Sequence, residues 1–157
     1  MKKIVIMMLM LLGLSAVAEA KGVVKPKGYI FGMSASFSDS TIYFTDIQTI
    51  DSVWVESKNE FLLSRENYTA QLKNYLETNN AAGRTNIVVF STKRKSLEKK
   101  YVKLKKRYTK GKRKYDVRYI PSEEFHFKSI DLHVEYGETA TETPSPQKQD
   151  KKKNGKK

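Results

Sequence analysis

The sequence predicts an α+β domain in which a mixed β-sheet, an N-terminal hairpin plus a β-α-β unit, carries two packed helices. Three observations lead there. Tyr29, Phe31, Met33, Ala35 and Phe37 alternate with smaller or polar residues, the period of a strand. Leu97, Tyr101, Leu104 and Tyr108 recur at the spacing of one helical face. Between two helical stretches stands the continuous apolar run Ile87-Val88-Val89-Phe90, too short for a helix and rich in β-branched residues.

Read in order, Met1 to Ala20 has the parts of a cleavable export signal. Lys2 and Lys3 form a positive start, Ile4 to Leu14 an apolar segment, and Ala18-Glu19-Ala20 a small-x-small cleavage site. The apolar run stops at Ser15, short of the roughly 20 residues a spanning helix needs. The expected mature protein begins at Lys21, is soluble, has no transmembrane segment and works in the periplasm or as a secreted protein. The chain has no cysteine, which removes disulfides, thiol catalysis, thiolate metal ligands and lipidation at the cleavage site.

Lys21 to Lys27 is basic, contains Pro26 and reads as a leader to a domain over 28–136. The alternating strand from Tyr29 follows, then Ser38-Asp39-Ser40 as a turn, then Thr41 to Thr45, which together predict a hairpin. Ile50 to Val55, with the sole tryptophan Trp54, predicts a third strand. Ser64 is placed to cap a helix carrying Tyr68, Leu72, Tyr75 and Leu76 on one face, ended by Asn79, Asn80 and Gly83. The run Ile87 to Phe90 is expected as a central strand covered on both faces. Ser96 is placed to cap the second helix, which stops near Gly111. Tyr115, Val117 and Tyr119 predict a strand limited by Pro121, joined to the Ile87 strand by a right-handed crossover between parallel strands. Phe125, Phe127, Ile130, Leu132, Val134 and Tyr136 make a last extended stretch. Residues 137–157 turn to Thr, Glu, Pro, Ser and Lys, and are expected to form a disordered Lys-rich tail.

Charge is distributed unevenly. The whole chain carries +13, yet Lys93 to Lys114 holds thirteen Lys or Arg against the single acid Glu98, and Lys148 to Lys157 holds six lysines against Asp150. Everything else in the mature chain is net acidic. A merely wet helical face mixes signs, because like charges four apart cost a few tenths of a kcal/mol each. Lys99 with Lys103, and Lys103 with Arg107, have no acid in sequence to relieve them. Lys99, Lys100, Lys103, Lys105, Lys106, Arg107, Lys110, Lys112, Arg113 and Lys114 are therefore the candidate anion-binding residues. For an exported protein the counterparts are an anionic envelope polymer, lipid headgroups or an acidic protein, and nucleic acid ranks behind them. The excess of lysine over arginine suits diffuse attraction more than planar bidentate recognition.

Other chemistry is thinly represented. Asp131, His133 and Glu135 alternate, so on a strand they share one face and form a candidate metal row for a small metal-assisted hydrolase. Alternation against Ile130, Leu132 and Val134 accounts for the same residues without a metal. Ser34, Ser36 and Ser38 lack a nucleophile motif, and Trp54 with Tyr43 and Tyr29 forms a possible sugar platform if the three share a face. No cofactor is implied. The stretch Val88 to Ile120, with Phe90-Ser91 after its first strand, resembles in outline the strand-helix-strand halves of sporulation-related peptidoglycan-binding domains. That resemblance implies cell-wall glycan as a further partner class. A passive interaction or assembly subunit is the remaining alternative, with Asp39, Asp46, Asp51, Glu56, Glu60, Glu123 and Glu124 as a docking face for a second copy's basic helix.

Overall fold

The computed structural model describes residues 22–133. The expected signal, the whole of the expected tail and Glu135 lie outside the described residues. Within them five strands and two helices run β1 (Gly22–Ala35), β2 (Thr41–Thr45), β3 (Gln48–Glu56), α1 (Arg65–Thr78), β4 (Thr85–Ser91), α2 (Arg94–Thr109) and β5 (Asp116–Ile120). The strands form one mixed sheet, so the α+β class is as the sequence predicts.

β1 is the axis of the sheet. Along one edge it pairs antiparallel with β2 and then β3; along the other it pairs antiparallel with β4. β5 pairs parallel with β2. The spatial order is β4, β1, the β2/β3 strip, β5. β4 and β5 run in the same direction, as a strand-helix-strand unit requires, but they lie on opposite sides of the β1–β2 pair instead of side by side. Of the apolar run Ile87 to Phe90, Val88 and Phe90 are buried on the α1 side, whereas on the α2 side Val89 is half-buried and Ile87 exposed, so the run is covered on one face only and belongs to an edge strand, not a central one.

β2 and β3 are one strip interrupted by a bulge. Met33 pairs with Phe44 and Ile30 with Gln48, so Phe31 and Gly32 face three residues, 45–47. One residue is extra, the definition of a β-bulge. Gly32 N–H bonds the Thr45 hydroxyl at 2.8 Å, and that hydroxyl donates to the Asp46 carbonyl at 2.9 Å, which satisfies the distorted backbone from a side chain. The bulge switches face: Ile42 and Phe44 lie with α2, whereas Ile50 lies with α1.

Two cores result, one on each side of the sheet. Ile30, Ile50, Val53, Val55, Val88 and Phe90 pack with Tyr68, Leu72 and Leu76 of α1. Phe31, Met33, Ile42 and Phe44 pack with Leu97 of α2, flanked by Tyr101, Leu104 and Tyr108. The small residues of the β1 pattern are therefore not a wet face. Gly32 lets α1 approach, since a Cβ there would lie 2.6 Å from Leu72 Cδ2.

Several expected boundaries shift. Residues 22–27 are not a leader but the first part of β1, paired with β3. Pro26 is tolerated there because β4 pairing begins only at Tyr29, leaving that side of β1 without a ladder partner. Ser64 does not cap α1 with its side chain: its backbone is left-handed (φ 52°), and its hydroxyl accepts from Asn67 Nδ2 at 2.6 Å instead. Ser96 falls inside the first turn of α2, whose N-cap is Lys93.

The stretch after Pro121 is extended in pattern but forms no strand through Leu132. Side-chain amides replace the ladder. Gln48 Nε2 donates to the Phe125 carbonyl at 2.7 Å and Gln48 Oε1 accepts from Phe127 N at 2.8 Å. Gln71 makes the same pair of bonds to Lys128, at 3.0 and 2.8 Å. Strapped in this way, Phe125 and Phe127 close the α1-side core.

Candidate functional site

α2 forms against its own electrostatics. Its first turn contains Arg94 and no acid, and no side chain caps it. Cations at a helix N-terminus oppose the dipole by about 0.3–1 kcal/mol each. Arg94 is relieved by Glu98 at 2.9 Å, and Lys106 and Arg107 in the last turn sit on the favourable end. The apolar stripe holds the helix in place. Leu97 is fully buried, the Tyr101 ring meets Phe31 edge-on at 4.9 Å, and the Tyr108 ring meets Tyr115 at 5.2 Å. Burial, with smaller contributions from Tyr119 and Asp46, pushes the Tyr101 hydroxyl up to about 12.

The candidate cations divide by position around this stripe. On the β5 side Lys105 Nζ lies 4.4 Å over the Tyr119 ring, a cation–π contact. In the following loop the Arg113 guanidinium lies 5.3 Å from the Tyr115 ring centre. On the β4 side Lys100, Lys103 and Arg107 surround a groove of about 240 Å³ whose floor is Phe31, Val89 and Leu104. Lys99 and Lys106 are exposed on the outer face beside Val102, and Lys110, Lys112 and Lys114 are exposed beyond the helix. Among the described residues the one ion pair made by a cation of α2 is that of Arg94 with Glu98. The ten candidate residues thus lie on the β4 side, the β5 side and the outer face of α2 and in the loop after it. The groove floor was not foreseeable from the sequence, because Phe31 and Val89 come from separate strands.

The acids proposed for self-docking are largely engaged elsewhere. Asp39 pairs with Arg84 at 2.7 Å, and this bond, backed by the Thr41 N–H, holds its carboxyl below the usual carboxylate range. Glu60 accepts from Thr92 at 2.8 Å and lies 3.6 Å from Lys25; the Thr92 bond is the main cause of its lowered pKa. Asp46 accepts from Ser122 N, and Glu124 from the Tyr75 hydroxyl.

The strand alternation behind a metal row of Asp131, His133 and Glu135 is not present at the two described members. His133 N–H bonds Asp131 Oδ1 at 2.9 Å in a local turn, and the His133 ring stands edge-on to Trp54 at 4.9 Å. Glu135 lies outside the described residues, and among those described no three His, Cys, Asp or Glu stand together as a metal site. Trp54 is 2 % exposed, and Tyr29 and Tyr43 pack on opposite faces, so the three aromatics make no common platform. Ser34 is buried, and Ser36 bonds Ser38 at 2.7 Å.

No protein-family model matches the chain, and no curated protein or solved structure does. Among the described residues no helix is long and apolar enough to cross a membrane.

Proposed function

We propose that the protein is an exported, non-enzymatic component of a bacterial cell envelope that binds an anionic partner through α2, the loop to Lys114 and the Lys-rich tail. The partner class is an anionic envelope polymer, lipid headgroups or an acidic protein. The observation that carries this reading is the row of exposed cations on α2 of which, among the described residues, Arg94 alone makes an ion pair. Self-repulsion on one helix lowers stability, and an anionic partner converts that repulsion into binding. The lysines of 148–157 on the same chain add a second basic contact, which raises the effective concentration of the helix at such a surface.

The test is binding of the mature protein to lipopolysaccharide, to vesicles containing anionic lipid and to poly-glutamate, each from about 0.05 to about 0.5 M salt, across which screening shortens several-fold. Affinity for at least one of these falls steeply with salt and drops further in a Lys99→Glu/Lys103→Glu/Lys106→Glu variant. Binding that is flat in salt, or unchanged in that variant, rejects the reading.

A further inference from the structure

The sheet has several open edges, and all but one are blunted. The free side of β1 over 22–28 carries Lys25, Pro26 and Lys27. β3 is covered on the outer side of its last three residues by residues 61–63, through Glu56 N to the Phe61 carbonyl at 2.9 Å and Leu63 N to the Trp54 carbonyl at 3.0 Å, and carries the exposed charge of Asp51 before them. β5 bears the Asp116–Arg118 ion pair. β4 has none of these devices. Its seven residues, Thr85 to Ser91, contain no charge, proline or glycine, and β1 is its one strand partner among the described residues. Proteins generally guard such an edge, because its unpaired N–H and C=O groups are a template for another strand.

The α2-side groove lies over this same edge. Ile87, 39 % exposed, and Val89 project toward α2, where Lys100, Lys103 and Arg107 form the rim. Resting on the proposed anion binding, we infer that β4 takes up an extended acidic segment of a partner protein as an added strand, its α2-facing carboxylates meeting Lys100, Lys103 and Arg107. The dimensions agree. Lys100 and Arg107 are about 10 Å apart along the helix axis, and same-face residues on a strand recur about every 7 Å, so two alternate carboxylates span the rim. A lipid chain would fill the groove but leave the ladder groups unpaired. A second copy adding through its own β4 would bring a second strongly basic α2 toward the first, and the charges oppose that.

The probe is a peptide of about six residues alternating Glu and Val, compared with the same peptide N-methylated at alternate residues, which keeps charge and removes ladder donors. Both are titrated into the isotope-labelled full mature chain, with amide exchange read at Thr85 to Ser91. The unmodified peptide binds and slows exchange along β4. N-methylation removes most of the binding, and Lys100→Glu/Lys103→Glu/Arg107→Glu weakens it about tenfold or more. Equal binding of both peptides overturns strand addition while leaving anion binding intact. Protection of β4 that appears without peptide and rises with protein concentration assigns the edge to a second copy and also overturns it. If neither peptide nor poly-glutamate binds at low salt, the acidic-protein reading on which this inference rests fails as well.

Discussion

Replacing Gln48 by leucine tests whether side-chain amides hold the segment after Pro121. Gln48 is 3 % exposed, and its two bonds, 2.7 Å to the Phe125 carbonyl and 2.8 Å from Phe127 N, serve backbone groups between buried phenylalanines. Leucine has similar volume and no polar atom, so both backbone groups lose their partner in place. Each unsatisfied buried group costs about 1–3 kcal/mol, and the gain in buried apolar surface returns about 1 kcal/mol. The net loss is about 1–5 kcal/mol. Gln71 makes the same pair of bonds to Lys128 at an exposed position, where water replaces them, so Gln71→Leu costs less than about 1 kcal/mol. Urea unfolding followed by fluorescence of Trp54, the sole tryptophan, measures both. With a slope of about 2 kcal/mol/M, Gln48→Leu lowers the midpoint by about 0.5–2.5 M. A Gln48→Leu protein within about 0.5 kcal/mol of wild type, or a Gln71→Leu protein as weakened as Gln48→Leu, would refute the reasoning.

Two pH predictions follow from the same structure. Tyr101 is held neutral up to about 12 when folded and ionises near 10 when unfolded. The folded state therefore keeps its proton longer, and the stability it contributes is complete below about pH 10 and lost as pH rises toward 12. Because the ring is partly exposed the loss is on the order of 1–2 kcal/mol. Tyr101→Phe flattens this alkaline limb in denaturant unfolding at successive pH values, and an unchanged limb contradicts it. Asp39 has the opposite sign. Its carboxyl is depressed by the Arg84 bond, so its contribution is present above the ordinary carboxylate pKa and lost as pH falls through the lowered one. Asp39→Asn makes stability less dependent on pH below about 4, read by thermal unfolding, and a variant as acid-sensitive as wild type counts against it.

The helices were legible because their signal is local. Tyr68, Leu72 and Leu76, and Leu97, Tyr101, Leu104 and Tyr108, recur at the helical period, and both stripes face the sheet. Caps were less legible. Ser64 and Ser96 are the right residue types in nearly the right places, but a serine caps only if its own backbone is extended, and Ser64 is left-handed. In the segment 121–132 alternation reports which side chains are buried, not what the backbone bonds to. Gln48 and Gln71, each dozens of residues away, supply that bonding, and no neighbour in sequence announces it.

By itself the sequence determined the α+β class, the burial of each helical stripe and the concentration of positive charge on α2, since each depends on residue type at short spacing. Only the tertiary structure decided that the two helices cover opposite faces, that one extra residue at 45–47 turns the β2/β3 strip over, and that β4 ends the sheet. The physical reason is that strand pairing is made by backbone groups nearly identical at every residue. Which strand lies inside and which at the edge is set by how the whole chain closes around β1. Lys100, Lys103 and Arg107 differ from the other lysines and arginines of α2 only through that closure, which puts an open ladder and an apolar floor beside them.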